Sequence, residues 1–566
     1  MTSSAPPSAL ARPAYRPSLA GQALDTTATP VLEHHQRGPT PVLVEALTNC
    51  LRGYPSSEAD FLVAGFTHGF KIPADAFNYD ANVGNHPSVL GQADIVGNII
   101  EREIKLGRVC GPFTSPPFDN FHVSPLALVP KQELGKYRLI HNLSYPRDNS
   151  VNSAIPKEHT SVSYDTLDSA LEWVLSYGRG SLIAKVDIEE AYRIIPIHPE
   201  SFHLLGFTWG NKWYFDRFLP FGLSYSCQLF ERFSSAVQWI LIEKYGVPAM
   251  THILDDYMFF GPPRDDTCMI SVNTFMHVAK VLNIPIKASK TVPPTTCAVL
   301  YGIEVDSVRM EARLPYDKLC KARDAVERIQ HKGKVTMKEL RSAIGFLAFT
   351  CKTVMPGRTF LRRLWDLTKG DAKPHHHIRL SKGAQLDLRA WAYFLQHHNG
   401  VTLLSDLRWV SSVRLCFLTD AAGNGGYSAV FGNKWICGEW PATWANLHIT
   451  VLELYPICAA LELWALELSN RCIVFWCDNE AVCHIINHRT SKDPNVMILM
   501  RKLIVTTMTH NIMFRTAHIP GHDNKLADSL SRFQFARARE LAPDLEDEST
   551  VLPVHLLPEN ILEETF

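Results

Sequence analysis

Two apolar runs in this chain stop on carboxylates. SLIAKVD ends at Asp187, and THIL gives way to Asp255 and Asp256 before YMFFG resumes, 68 positions after the first acid. The apolar flanks predict strands, and the acidic pair between two of them predicts a hairpin. An acid at the end of a buried strand packs poorly unless it is exposed or faces a cation. Two such ends side by side repel unless a divalent ion joins them. That arrangement suits phosphoryl transfer, in which metal ions hold the attacking and leaving oxygens in line. Asp pairs are also common in plain turns, so LDDY alone leaves both readings open.

Composition bounds the frame. With 566 residues, 46% hydrophobic and 20% charged, the chain has room for several domains and is neither wholly disordered nor fibrous. Lys plus Arg number 56 and Asp plus Glu 57, so any nucleic-acid contact must rest on local patches. No apolar run reaches ~18 residues, so no membrane contact is expected. Thirteen cysteines without a C-x-x-C pair imply reduced thiols and an intracellular location, cytoplasm and/or nucleus. His34-His35 and His375–His377 lack the Cys/His spacing of a zinc site.

Six segments follow. Residues 1–40, rich in Ser, Ala, Pro and Thr, are expected to form a flexible arm, and 41–95 a helical N-terminal region. Over 96–310 a helix ending near Gly107 precedes short strand-like runs, a helix at 225–244 and the acidic hairpin. Residues 311–410 turn helical; 311–368 hold 13 Lys/Arg against 6 Asp/Glu, either a solvated face or a nucleic-acid track. A second α/β pattern occupies 411–535. The tail, 536–566, is acidic: from 541 it holds seven acids and no Lys or Arg, and exposure is expected, repelling nucleic acid or recruiting a basic partner.

The second α/β pattern has its own acids. Asp420 (FLTDAAGNGGY) and Asp478 (VFWCDNEA) end apolar strands, Glu453 lies early in the apolar helix LELYPICAALELWALEL, and Asp528 follows His518 in HIPGHDNKLADSLSR. Singly, Glu453 and Asp528 read as helix-surface acids and His518 as an ordinary polar group. Four inward acids together are costly without cations. The turn Ala422–Gly426 is nest-like and would support close approach to a nucleic-acid backbone.

Taken in order, DIEEAY (187–192), LPFGLSYSCQLFERF (219–233) and LDDY (254–257) resemble the palm motifs of reverse transcriptases. LALVPKQELGKYRLIHNLSYPRDNSVN (126–152) is similar to their fingers, LYGIEVD (300–306) to their primer grip, and NIPIKASKT to their lysine loop. Asp420, Glu453, Asp478 and Asp528 match the acidic quartet of ribonuclease H, and His518 its loop histidine; His522 and Asn524 also fit that loop. LRSAIGFLAFTCKTVMPGRTFLRRL is most similar to DIRS-type (tyrosine recombinase) retroelement enzymes.

The resemblance implies a multidomain α/β and α+β fold. A right-hand polymerase (96–310 fingers and palm, 311–410 thumb and connection) would precede a ribonuclease H domain (411–535) with a mixed five-stranded sheet. It also implies two Mg2+ per site, replaceable by Mn2+, on Asp187, Asp255 and Asp256 and on Asp420, Glu453, Asp478 and Asp528. Tyr192 would exclude a 2′-OH, Lys131 and Arg138 would contact the triphosphate, and Gly222 would let the backbone approach the nucleotide. Phe221 stands where retroviral enzymes carry Gln, as in gypsy-type and DIRS-type elements. Lys287 or Lys290 would protonate pyrophosphate. The implied function is RNA-directed DNA polymerase with RNA–DNA hybrid ribonuclease activity, acting on an RNA template, a DNA primer, dNTPs and the hybrid. The alternative is a domesticated, non-catalytic nucleic-acid-binding protein; retention of all seven acids weighs against it.

Overall fold

The computed structural model describes residues 36–75, 83–131, 135–370, 372–397, 401–403, 409–469, 471–510 and 512–563. Most of the expected flexible arm, 1–35, lies outside them. The fold is mixed α/β and multidomain. It divides into two compact units, one within 1–163, 188–246 and 276–286, the other within 164–187, 247–275 and 287–566.

In the first unit, helices Val44–Cys50 and Ser56–His68 form the expected helical region. Helix Ala93–Lys105 buries Val96 and Ile100 against Leu126, Leu128, Phe207 and Tyr214. Lys212–Asp216 is the middle strand between Val109–Phe113 and Gly206–Trp209, and Leu126–Pro130 pairs with Tyr137–His141. Helix Tyr225–Trp239 continues as one π-helical segment, Ile240–Lys244. Arg193 is buried beside two carboxylates, donating from Nε to Glu103 at 3.0 Å and from Nη1 to Asp216 at 2.7 Å. His141 Nδ1 lies 3.1 Å from the other Asp216 oxygen. Buried charges persist only when so paired, and this network fixes the turn Ala191–Ile194 to the central strand.

The second unit opens on a four-stranded antiparallel sheet ordered Met250–Ile253, Asp256–Gly261, Leu182–Asp187, Val292–Thr295. Alternate residues of the interior strand face opposite sides, and Ile183, Ala184 and Val186 are buried. A two-residue turn at Tyr301 (φ +50°) and Gly302 (φ +77°) joins Cys297–Leu300 to Ile303–Asp306, the positive φ pair that matches strand twist in tight hairpins. Helices Tyr316–Gln330, Met337–Thr350 and Lys382–His397 follow. One apolar core runs from Ile183 and Phe260 through Leu340 and Trp391 to Phe417, Leu454, Phe475 and Leu503. The basic helical region and the second α/β region therefore share a core.

Two expectations are corrected here. The mixed five-stranded sheet is two three-stranded ones: Phe417–Ala421, Gly426–Phe431 and Lys434–Glu439 pair antiparallel, while Val410–Ser411, Cys472–Cys477 and Met513–His518 pair parallel. Val410 and Ser411 occupy the edge of Cys472–Cys477, opposite Ile473 and Val474, and Ser411 Oγ accepts from Trp476 Nε1 at 2.9 Å. The acidic tail is not free either. Leu545, Leu556 and Ile561 are buried, Tyr455 donates to Leu556 O at 2.9 Å, and Trp435 Nε1 donates to Glu546 O at 2.8 Å. The described acids beyond 541 are exposed, while Leu556 and Ile561 join the large core and Leu545 a smaller cluster with Trp435 and Leu530. Among the described residues no helix is long and apolar enough to cross a membrane.

Candidate active sites

The first acidic cluster is built by register. Asp187, last in its strand, pairs across the ladder with Asp256, first in the next, and Ile253 also pairs with Asp256. Leu254 and Asp255 are left as a two-residue turn, with Leu254 at φ +52°. A leucine there is strained by roughly 1–3 kcal/mol, which the paired strands offset. Burial raises the pKa of Asp187; Lys290 opposes the rise and Asp256 adds to it. Asp255 is pushed up to about 6 by burial and then by the charges of Asp256 and Asp187.

Of the two candidate lysines, Lys290 reaches the acids. Its Nζ donates to Asp187 Oδ2 at 2.6 Å, whereas Lys287 meets Asp187 through its backbone N–H at 2.9 Å. Burial works against the Lys290 charge, but Asp187 and then Asp255 and Asp256 outweigh it and raise its pKa. Lys185, which sequence reasoning missed, donates to Asp256 Oδ2 at 2.8 Å.

In the first unit, Arg138 and Lys131 belong to the hairpin ending at His141, Arg138 on the strand and Lys131 just beyond Pro130. Both are exposed. The Arg138 guanidinium lies over the Phe221 ring, 4.4 Å from its centre, and Phe221 packs on Tyr192 at 5.3 Å. Phe221 O accepts from His141 N at 2.8 Å. Gly222 has φ +122°, and a Cβ there would lie 2.0 Å from His141 O, so no other residue fits without a backbone shift. Asn152, also missed, clamps the turn: its Nδ2 donates to Gly222 O and its Oδ1 accepts from Ser224 N, both at 2.8 Å.

The second cluster gathers four acids from four elements. Asp420 lies in Phe417–Ala421, Glu453 in helix Ile449–Leu463, Asp478 just after Cys472–Cys477, and Asp528 in helix Lys525–Ser531. Asp420 is pushed up to about 6 by burial and by Asp478 and Asp528, with Ser531 opposing. Glu453 rises to about 9, through burial and then Asp420 and Asp478. Ser531 Oγ donates to Asp420 Oδ2, and Arg532 Nε to Asp528 Oδ1 at 2.7 Å. His518, exposed, ends the strand whose register sets it beside Cys477, next to Asp478.

The loop after His518 carries the other matched residues. A Cβ on Gly521 would stand 3.4 Å from Asp478 Oδ2, so this loop passes over the carboxylate. Asn524 is buried and donates to Thr419 O at 2.8 Å, tying the loop to the Asp420 strand, while His522 is exposed beside Asp523. In the turn 422–426, Ala422 N and Gly425 N donate within the turn; a Cβ on Gly425 would meet Ser531 O at 2.8 Å and one on Gly426 Gly438 O at 2.0 Å, while Gly423 faces open space.

Both clusters offer hard oxygen donors, which suit Mg2+ or Mn2+, and their acids raise one another's pKa, a repulsion that a cation relieves. Among the described residues no three His, Cys, Asp or Glu side chains are grouped closely enough to hold a metal ion.

No family model and no curated protein matches this chain. Solved structures of a foamy viral protease–reverse transcriptase are similar. The dRH form in complex with double-stranded DNA is 15% identical, with a TM-score of 0.48, over 88% of this chain and 84% of that one. A second complex with double-stranded DNA is 15% identical, TM-score 0.46, over 85% of this chain and 98% of that one. The complex with an RNA/DNA hybrid is 14% identical, TM-score 0.46, over 88% of this chain and 64% of that one.

Proposed function

We propose that the chain is an RNA-directed DNA polymerase with hybrid-directed ribonuclease H activity, serving replication of a retroelement. The observation that carries the reading is the ladder pairing of Asp187 with Asp256 beside the Asp255 turn, within the three ordered motifs. The 340–364 segment and the PFGL turn support a DIRS-type element within it.

Asp187, Asp255 and Asp256 would hold metal in the polymerase, and Asp420, Glu453, Asp478 and Asp528 in the nuclease. When bound, Mg2+ supplies charge neutralisation at the reacting phosphate and lowers the pKa of a coordinated oxygen. The chain supplies the rest. Tyr192 limits the room at the sugar 2′ position, since the 2′-OH is what separates the two sugar types. Arg138 binds triphosphate oxygens as a planar fork and Lys131 as a point charge. Lys290, kept protonated by the surrounding carboxylates, holds a proton at Nζ for the leaving pyrophosphate. In the nuclease, the exposed His518 imidazole exchanges a proton near Asp478. The basic 311–368 segment tracks the phosphate backbone, which makes binding fall with salt.

The test is primer extension on a poly(rA) template with Mg2+, with labelled RNA followed in the same reaction. Long DNA products with shortening of the RNA are expected. Hybrid binding without extension or cleavage would overturn the reading and favour the non-catalytic alternative.

A further inference from the structure

Three anchors converge on the Tyr192 side chain. Its hydroxyl lies 3.1 Å from Cys227 Sγ. Its ring packs on Phe221 at 5.3 Å and, edge-on, on Phe230 at 5.8 Å. The next residue, Arg193, is locked by Glu103 and Asp216, so the backbone of this turn cannot drift. Phe221 is itself fixed: its carbonyl accepts from His141 N, and the following glycine abuts His141 O. On this immobile ring rests Arg138, whose exposed side chain would otherwise sample many rotamers. Arg138, Phe221, Tyr192 and Cys227 thus form one continuous chain of contacts.

We propose that Phe221 is a positioning residue for two jobs at once, aiming the Arg138 guanidinium at the incoming triphosphate and backing the Tyr192 ring that reads the sugar, with Cys227 pinning the far end of that ring. The proposal rests on the polymerase reading. The physical case is that an arginine on a long exposed stem binds phosphate better when its planar fork is already oriented, and that a steric filter discriminates only if it does not yield. A cation over an aromatic face supplies the orientation. Leucine at 221 would keep apolar contact but lose the π face, whereas tyrosine would keep both. Alanine at 227 would release the Tyr192 hydroxyl, whereas serine would hold it.

The experiment uses the full chain on poly(rA)/oligo(dT), with dTTP and UTP as competing substrates. Steady-state kcat and KM are measured for the native chain and for F221L, F221Y, C227A, C227S, R138A and F221L/R138A, with melting temperatures alongside. F221L is expected to raise KM for dTTP about two- to fivefold, the share carried by an exposed cation–π contact, with kcat nearly unchanged. F221L should also raise UTP incorporation, and F221Y should restore both values. C227A is expected to raise UTP incorporation about two- to tenfold, the range of one neutral hydrogen bond, without moving KM for dTTP; C227S should restore it. F221L and R138A should be less than multiplicative in KM.

Native KM and native sugar selectivity in a folded F221L overturn the proposal, as does full multiplicativity with R138A. If F221L melts early, C227A and C227S decide the Tyr192 arm, and F221M, which also lacks the π face, decides the Arg138 arm by its KM for dTTP. A native chain that extends no primer sinks the polymerase reading, and the proposal falls with it. A native chain that extends primers while these variants behave as wild type sinks the proposal alone.

Discussion

Asp387 offers a sharp test of how the second unit is held together. Its carboxylate is 1% exposed and accepts from Arg501 Nε at 3.0 Å, with Arg501 8% exposed and Arg363 Nε 3.9 Å from the other oxygen. The pair joins helix Lys382–His397, in the basic helical region, to helix Pro494–Thr509, in the second α/β region. Asp387→Ala takes the carboxylate away from a buried guanidinium, and breaking a buried ion pair from one side costs about 3–5 kcal/mol. Replacing both partners by apolar residues of similar size, Asp387→Leu with Arg501→Met, removes both buried charges and is expected to be neutral or stabilising. Trp391 is one turn from Asp387 and fully buried, so its fluorescence reports on this joint. In urea, with a slope of about 2–3 kcal/mol/M, the single variant should unfold about 1–2 M earlier. A single variant within ~1 kcal/mol of native, or a double variant as unstable as the single, would refute the view that a desolvated charge pair governs this contact.

Four further outcomes are expected. Asp255→Asn should abolish primer extension and spare hybrid cleavage, and Asp420→Asn should do the reverse; joint loss of both activities in either folded variant would speak against two separate sites. Gly222→Ala, which drives a Cβ to 2.0 Å from His141 O at φ +122°, should cost more than ~2 kcal/mol and lower the melting temperature; an unchanged melting curve would count against the packing described. Glu339 closes a capping box with Thr336, and its pKa is held at about 2 by the Thr336 N–H, then by Lys332 and the Thr336 hydroxyl. A carboxylate lowered on folding contributes stability above its unfolded pKa, so the cost of Glu339→Gln, about 0.5–1 kcal/mol after allowance for exposure, should shrink as pH falls from ~4.5 towards 2; a pH-independent cost would exclude this origin. Ending the chain at Leu541 removes the buried Leu545, Leu556 and Ile561 and should destabilise the second unit by up to about 1.5–3 kcal/mol per side chain; a full-strength melting transition would mean the tail is dispensable.

Local signals made much of this legible. Strands and helices were readable because their periodicities were clean: the apolar run before Asp187 is a strand, and the acidic pair at 255–256 does sit at a hairpin. The tail misled because composition counts charges, and seven acids in 26 residues outweigh three well-spaced aliphatic side chains in any local average. Its fate was decided by Tyr455, whose buried hydroxyl finds its acceptor at Leu556, 101 positions on. The sheet was misjudged for a similar reason. Val410–Ser411 is only two residues long, too short to register as a strand, yet it takes the edge of Cys472–Cys477.

The partners of the acids divide along the same line. Lys185 lies two residues before Asp187, on the same face of its strand, and the ladder that pairs Asp187 with Asp256 brings that ammonium to the second acid. Arg532 lies four residues after Asp528, one helical turn away. The second follows from helical period alone; the first needs, besides strand period, the register that sets Asp187 opposite Asp256. Lys290 reaches Asp187 across 103 positions and Ser531 reaches Asp420 across 111, and no local rule selects them. The choice between Lys287 and Lys290 stayed open for that reason. Three residues apart in one segment, they differ in which group is offered to Asp187: Lys287 gives its backbone N–H, and Lys290 gives its ammonium.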